Sequence, residues 1–473
     1  MAQDENTANR LYETYGTFKE QQITNRRFKH SDLVNLIAKL KGSNIFRTSV
    51  IGKSLEGREI YLVTAGKGKN RILLWSQMHG DESTATMALF DIFNFLSAKE
   101  DGFDKLREMI LSKNTLYFIP MLNPDGAERF QRRNALDIDL NRDAARLQMP
   151  EALLLKTMRD SLNADFGFNL HDQSTRYTAG DTYKSAALSF LAPAFNFNKD
   201  VNKVRDRSIK LIAQLNEVLS NFIPGHIAKY SDEFEPRAFG DNVQKWGTST
   251  ILIESGGWKN DMEKQFLRKL NYVAILTSFK SISDQSYERY TRAEYDSIPN
   301  NEMRLFDLIV RGVTISYSGK PYKVDIGVNI NDFTAMDGTV YYKGVIEDIG
   351  DLSVFYGYDE LNAEGMEAVP GKKYPSSELT LKEIEKTDIQ DMLRQGYTTV
   401  SLSETNGSLD LYTRYPFILT TGDGYNSEIS MGSIANFIIS DSKAEARFAI
   451  VNGFIFDLLT GSNRIKNGLI LNK

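Results

Sequence analysis

The chain holds four histidines in 473 residues, so an imidazole set beside acids at the mouth of an apolar run carries information. In SQMHGDESTATMALFDIF, residues 76–93, His79 stands three residues before Glu82. That spacing lets both side chains face one centre across a single turn, and a zinc ion accepts neutral imidazole and carboxylate together. A His-x-x-Glu pair alone serves equally well as a surface ion pair. His171 offers a third ligand because it ends the apolar run DFGFNLH at 165–171. Its other reading is an imidazole bonded to the adjacent Asp172 or Gln173. His30, just ahead of a helix cap, and His226, in a loop after IPG, read as structural.

Two histidines and one glutamate make a catalytic rather than a closed zinc site, because three protein ligands leave a position for water. Water activated there needs a base, and ILIESGG at 251–257 supplies Glu254 at the end of an apolar strand. A carboxylate among Ile and Leu without a task would be costly. Between the ligands runs NPDGAERFQRRNALDIDLNRDAARL, an irregular, arginine-rich stretch. Its guanidinium groups suit polarising a carbonyl oxygen or gripping a carboxylate; Arg129, Arg133 and Arg146 read equally well as a solvated basic loop. With no Cys in the chain, any transition metal must sit on His and carboxylate.

The elements that must position these residues alternate. Helices are expected over 31–41, with Ser31 or Asp32 as cap, 150–163, about 200–222 and 260–282, and a helical spacing follows His79. Strands are expected at 59–66, 71–80, 114–126, 165–171 and 248–257. The alternation predicts an α/β fold with a mixed sheet covered by helices on both faces, and candidate ligands at strand ends, where such sheets bind. Residues 1–283 are expected as the catalytic domain, 284–302 as a polar linker and 303–473 as a β-rich, sandwich-like domain with one helical patch at 380–396. That second part holds no histidine, and FDLIVRGVTI and GSIANFIISDSKAEARFAIVNGFIF look like the two ends of the β-sandwich that accompanies metal-dependent amidohydrolases. Its Asp325, Asp332 and Asp337 are spaced too irregularly for an EF-hand and read as turn residues.

The net charge of -5 argues against nucleic acid or anionic lipid as partner. No stretch approaches the roughly 20 apolar residues of a membrane span. The start MAQ resembles a processed secretory terminus behind an added Met, so a periplasmic or secreted location is expected, with the cytoplasm as alternative.

Taken together, the residues resemble the zinc carboxypeptidase family, the carboxypeptidase A-like metallopeptidases, over about residues 40–283. His79-Gly80-Asp81-Glu82 looks like its His-x-x-Glu, NPDG at 123–126 its strand-end turn, Arg132-Arg133-Asn134 its Arg-Lys-Asn element, and DLNR its Asn-Arg pair. The resemblance implies one zinc per chain on His79, Glu82 and His171, with Glu254 as general base. It also implies Arg132 as oxyanion donor, Asn141 and Arg142 as the grip on a free substrate carboxylate, and Tyr230 as the nearest match to the family's substrate-closing tyrosine. Asp241 and Asn242 either favour a basic side chain or form an exposed turn. The implied activity is hydrolysis of the C-terminal amide bond of peptides by promoted water. HGDE, commoner among bacterial members acting on cell-wall peptides, tilts the substrate towards small bacterial peptides. Alternatives are a zinc deacylase or amidase acting on N-acyl amino acids or cell-wall peptides, and a non-enzymatic binding protein on the same fold. Oligomeric state is left open.

Overall fold

A computed structural model of the chain describes residues 2–335, 338–375, 378–403, 411–421 and 425–471. The chain divides into two compact units, Met1–Met303 and Arg304–Lys473.

The first unit opens with helices α1 (Ala2–Phe18) and α2 (His30–Leu40), strands β1 (Phe46–Lys53), β2 (Glu59–Gly66) and β3 (Asn70–Ser76), and helices α3 (Thr84–Ser97) and α4 (Asp104–Lys113). It continues through β4 (Asn114–Ile119), α5 (Pro124–Arg129), α6 (Pro150–Leu162), β5 (Phe166–Asp172), β6 (Tyr177–Ala179), β7 (Leu188–Leu191) and α7 (Lys203–Leu219). The remainder is β8 (Ile227–Lys229), α8 (Phe239–Lys245), β9 (Ser249–Ser255), α9 (Gln265–Asp284), α10 (Arg292–Asp296) and β10 (Asn301–Met303). Eight strands form one mixed sheet in the order β1-β2-β4-β3-β5-β9-β7-β8, with β4, β3, β5 and β9 mutually parallel at its centre.

Period-two alternation sorts the central strands between two cores. Ile72 and Leu74 of β3, Phe168 and Leu170 of β5, and Ile251 and Ile253 of β9 join one core with α1, α3, α7 and α9. Leu73 and Trp75 face the other way, against Leu155 of α6 and Phe239 and Val243 of α8. The sheet is therefore covered on both faces, as expected. Trp75 fits because position 167 is glycine: a Cβ there would lie 3.1 Å from the indole ring.

α1 and the chain after it are stapled to α9 by a buried ion pair. Arg268 and Asp91 each have no side-chain exposure. Arg268 Nε donates to Asp91 Oδ2 at 2.7 Å, while its terminal nitrogens donate to the carbonyls of Ile23 (2.7 Å) and Glu20 (3.0 Å). Tyr15 of α1 donates to the same carboxylate at 3.0 Å.

The stretch 284–302, expected as a linker, is instead part of this unit. Tyr287, Tyr290, Tyr295 and Ile298 are buried in its larger core, and β10 pairs antiparallel with β6. The polar residues between those aromatics broke the apolar periodicity and disguised a packed segment. The boundary falls at 303/304.

The second unit is β-rich, with a larger sheet that includes Leu305–Tyr317, Lys320–Thr334 and Val340–Gly350, and a five-stranded sheet that includes Tyr397–Ser401 and Ile418–Thr420. Val400, Leu419 and Ile470 from the smaller sheet share a core with Ile438, Ala449 and Val451 from the larger. The helical patch is two short helices, Leu381–Ile384 and Ile389–Arg394, broken where Asp388 caps the second. Asp325 and Asp332 lie inside a strand rather than in turns, and Asp325 pairs with Arg311 at 3.2 Å; Asp337 falls outside the described residues.

Arg268→Met strips the cation from a fully buried carboxylate. Unfolding stability should fall by about 3–5 kcal/mol, read from the urea midpoint at unchanged slope.

Candidate metal centre

The three central strands β3, β5 and β9 end side by side, and the candidate residues lie at or just beyond those ends. After β3 the chain turns through Gln77, whose φ is +50°, and His79 and Glu82 close a tight turn in which Glu82 N donates to His79 O at 3.1 Å. This turn is held from below by the start of α5. Asn123 N donates to Gln77 O (3.0 Å) and its Nδ2 to Met78 O (3.2 Å), while its Oδ1 caps Gly126 N. The two backbones touch: a Cβ on Gly80 would lie 2.0 Å from the carbonyl carbon of Gly126. Glycine in NPDG answers to other neighbours: a Cβ on Gly126 would lie 2.6 Å from Asn123 Nδ2 and 2.7 Å from Arg133 O. The arginine-rich stretch is more regular than expected, since Pro124–Arg129 is helical and Leu140–Arg142 forms a 3-10 turn.

His171 is the penultimate residue of β5 and stands directly opposite Glu254 of β9 in the parallel register. Alternation turns both away from the larger core, whose members at this point are Leu170 and Ile253. His79, Glu82, His171 and Glu254 are all buried.

His79, Glu82 and His171 offer ligand atoms that all lie within 4.8 Å of one another, and they are the one such group among the described residues. Glu82 Oε1 is 2.7 Å from His79 Nδ1 and Glu82 Oε2 is 2.7 Å from His171 Nδ1. The two Nδ1 atoms approach to 3.2 Å. Donors about 2.0–2.1 Å from one tetrahedral ion stand roughly 3.3 Å apart, so two imidazoles at this separation fit a shared metal. His79 Nε2 is 3.0 Å from Asp139 Oδ1, which fixes Nδ1 as the inward atom. His171 Nε2 is buried with no hydrogen-bond partner among the described residues.

Charge around this group is tightly coupled. Burial pulls the His79 pKa down, but Glu82 and Asp139 outweigh it and hold it up at about 9. His171 is lowered by burial. Glu82 lies well below the carboxylate range, because the two imidazoles overcome the burial that would raise it. Glu254 is pushed well above that range, first by burial and then by the charge of Glu82. A metal's positive charge acts on Glu254 in the opposite sense.

Arg132 reaches the same donors. Its Nη1 donates to Glu82 Oε1 (3.0 Å) and lies 3.1 Å from His79 Nδ1, and its Nε and Nη2 grip Asp139 Oδ2 at 3.2 and 3.0 Å. Asn141 and Arg142 follow Asp139 in the 3-10 turn, whose Asn141 N donates to Asp139 Oδ1 at 2.9 Å. The Asn141 side chain is committed elsewhere, its Oδ1 accepting from Phe239 N at the head of α8 (2.8 Å). Arg142 lies near Glu235 (3.5 Å), which Arg237 also binds. Tyr230 follows β8; its hydroxyl is raised to about 12 by burial and by the negative charge of Glu254, with Tyr177 and Glu82 adding to it.

Several expectations change here. Asp241 and Asn242 do not form an exposed turn but lie buried in α8, where Asp241 Oδ1 accepts from Glu235 N (3.2 Å) and Asn242 Nδ2 donates to the carbonyls of Pro236 and Ala238. Burial raises the Asp241 carboxyl to about 7. Asp172 and Gln173 turn to other partners: Asp172 takes Thr84 and Lys264, and Gln173 takes Ser189, Ala186 O and Asn301. His30 bonds to Glu59 O and His226 to Ser185 O, away from the cluster. Asp139 and Asn123, missed as positioning residues, both sat in quoted motifs; a carboxylate two residues before an Asn-Arg pair was the available signal. Tyr177, whose ring centroid is 6.4 Å from that of Tyr230, carried none.

Residues 33–186 match the zinc carboxypeptidase family, a stretch that includes His79, Glu82 and His171 and ends before Glu254. An uncharacterized protein of Zymomonas mobilis is 29% identical over 209 residues, 43% of this chain and 50% of that protein. A probable carboxypeptidase 2 of Arthroderma benhamiae is 28% identical over 178 residues, 34% of this chain and 32% of its own length. The chain thus spans half or less of these relatives. Among solved structures, a metallo-carboxypeptidase from Burkholderia cenocepacia aligns with 55% of this chain and 70% of its own at 16% identity, with a TM-score of 0.44. No described helix is long and apolar enough to cross a membrane.

Metal-stripped protein titrated with zinc against a chromogenic chelator should take up one equivalent. His171→Ala should abolish that uptake, and Asp139→Asn should weaken it by about 10–100-fold.

Proposed function

We propose that this chain, whose residues 33–186 match the zinc carboxypeptidase family, is a zinc metallopeptidase that removes the C-terminal residue of peptides bearing a free carboxylate. The observation that carries the reading is the convergence of His79, Glu82 and His171 beside Glu254, which faces His171 across the β5–β9 pairing.

His79, Glu82 and His171 would hold the metal, which when bound supplies Lewis acidity and acidifies water at neutral pH. Glu254 takes the proton from the attacking water and returns it to the leaving amine. Its burial raises its proton affinity, which suits it to both transfers. Arg132, kept beside the donors by Asp139, directs a guanidinium N–H at the carbonyl oxygen as negative charge develops there. Arg142, half exposed at the same turn, grips the terminal carboxylate, and Asn141 fixes that turn against α8. Tyr230 lies within the field of Glu254 and closes over the bound residue.

Glu254→Gln keeps size and removes the proton acceptor. Turnover should fall by a few orders of magnitude while zinc content stays full; near-normal turnover would mean that another group is the base.

The carboxylate grip is read by comparing a peptide acid with its C-terminal amide. Wild type should strongly prefer the acid, and Arg142→Ala should narrow the preference by lowering kcat/KM for the acid alone. Equal cleavage of acid and amide by wild type would favour an amidase, and release of acyl groups from N-acyl amino acids without peptide cleavage would favour a deacylase.

A further inference from the structure

Lys264 is 3% exposed, and lysine is almost never buried to that degree unless its charge is paired. It sits at the N-cap of α9 with φ +50° and ψ +32°, a left-handed conformation that costs a non-glycine residue energy and persists where surroundings impose it. The side chain runs back to the sheet. Its Nζ donates to Asp172 Oδ2 at 3.1 Å and to Ser255 O at 2.9 Å.

Each partner adjoins a residue of the proposed chemistry. Asp172 follows His171, its own N donates to Glu82 Oε2 at 3.2 Å, and its Oδ2 also accepts from Thr84 Oγ1 at 2.7 Å. Ser255 follows Glu254, and its Oγ accepts from Asn271 of α9 at 2.8 Å. One ammonium therefore joins the end of β5, which carries His171, to the end of β9, which carries Glu254, and through Asp172 it is linked to Thr84 at the start of α3, two residues after Glu82.

We propose that Lys264 is a positioning residue that sets the metal ligands against the general base. The role rests on the functional reading above, and it acts through Asp172 and the Ser255 carbonyl without touching substrate. Held on both sides, the β5 and β9 ends cannot slide or splay, so the separation of His171 from Glu254 is kept when substrate enters.

The test compares wild type with Lys264→Met and with Lys264→Met/Asp172→Asn, which removes both buried charges. Folding is checked by circular dichroism and zinc affinity by chelator competition. Folded Lys264→Met should bind zinc about 10–100-fold more weakly, and at saturating zinc its kcat should fall by a similar factor with KM unchanged. The double variant should recover thermal stability but not zinc affinity or kcat, a separation that a merely structural ion pair would not produce. If Lys264→Met does not fold, the double variant carries the comparison alone. Wild-type affinity and kcat in either folded variant would overturn the role. The wild-type titration separates the two readings: no zinc uptake by wild type removes the functional reading and this role with it, whereas zinc uptake by wild type with equal affinity and kcat in the variant removes only Lys264.

Discussion

The pairing of His171 with Glu254 across β5 and β9 is the constraint on which the rest of the site depends. Both strands are parallel and central, so their register is not set by a tight turn between them. It is set by what each buries: Phe168 and Leu170 on β5 and Ile251 and Ile253 on β9 enter the larger core together. A slip of one residue would carry Glu254 into that core and bring Ile253 to the site. The apolar face of the sheet therefore specifies the polar geometry on the other.

Electrostatics adds a second constraint. Glu82, Glu254, Asp139 and Asp172 bring four carboxylates to a small buried region, and like charges out of water must be compensated. Arg132 serves Asp139 and Glu82, while Lys264 serves Asp172. Glu254 makes no such ion pair among the described residues, and burial, followed by the charge of Glu82, raises its pKa. The arrangement leaves one carboxylate protonatable while its neighbour Glu82 stays ionised between two imidazoles.

Much of this was legible in the residues. Strands β2 to β5 and β9, helices α2, α3, α6, α7 and α9 and the sheet's two-sided cover followed from periodicity, whereas β3 and β4 end at Ser76 and Ile119, short of the expected runs, and α1, α4, β1, β7 and β8 gave no such signal; the metal-capable trio followed from scarce histidines. What was not legible depended on contacts distant in sequence. The 284–302 segment looked like a linker because its buried tyrosines are separated by charged residues, and its partner β6 lies more than a hundred residues earlier. FGDN looked like a surface turn because Gly, Asp and Asn favour turns, yet the Asn141 side chain caps it as a helix start. Lys264 lay inside the helix expected over 260–282, yet that helix starts only at Gln265; only the sheet its side chain returns to explains its burial.

The Arg268 staple also sets an order of events during synthesis. Its guanidinium binds the carbonyl of Glu20 across a separation of 248 residues. At about 5–20 residues per second, the N-terminal segment emerges on the order of tens of seconds before the group that anchors it. Through that interval Tyr15 and Phe18 have no finished core to enter, because the Tyr272 ring that packs on both belongs to the same late helix. Closure of the first unit is thus a late, long-range event, and its earliest residues are among the last to reach their final place.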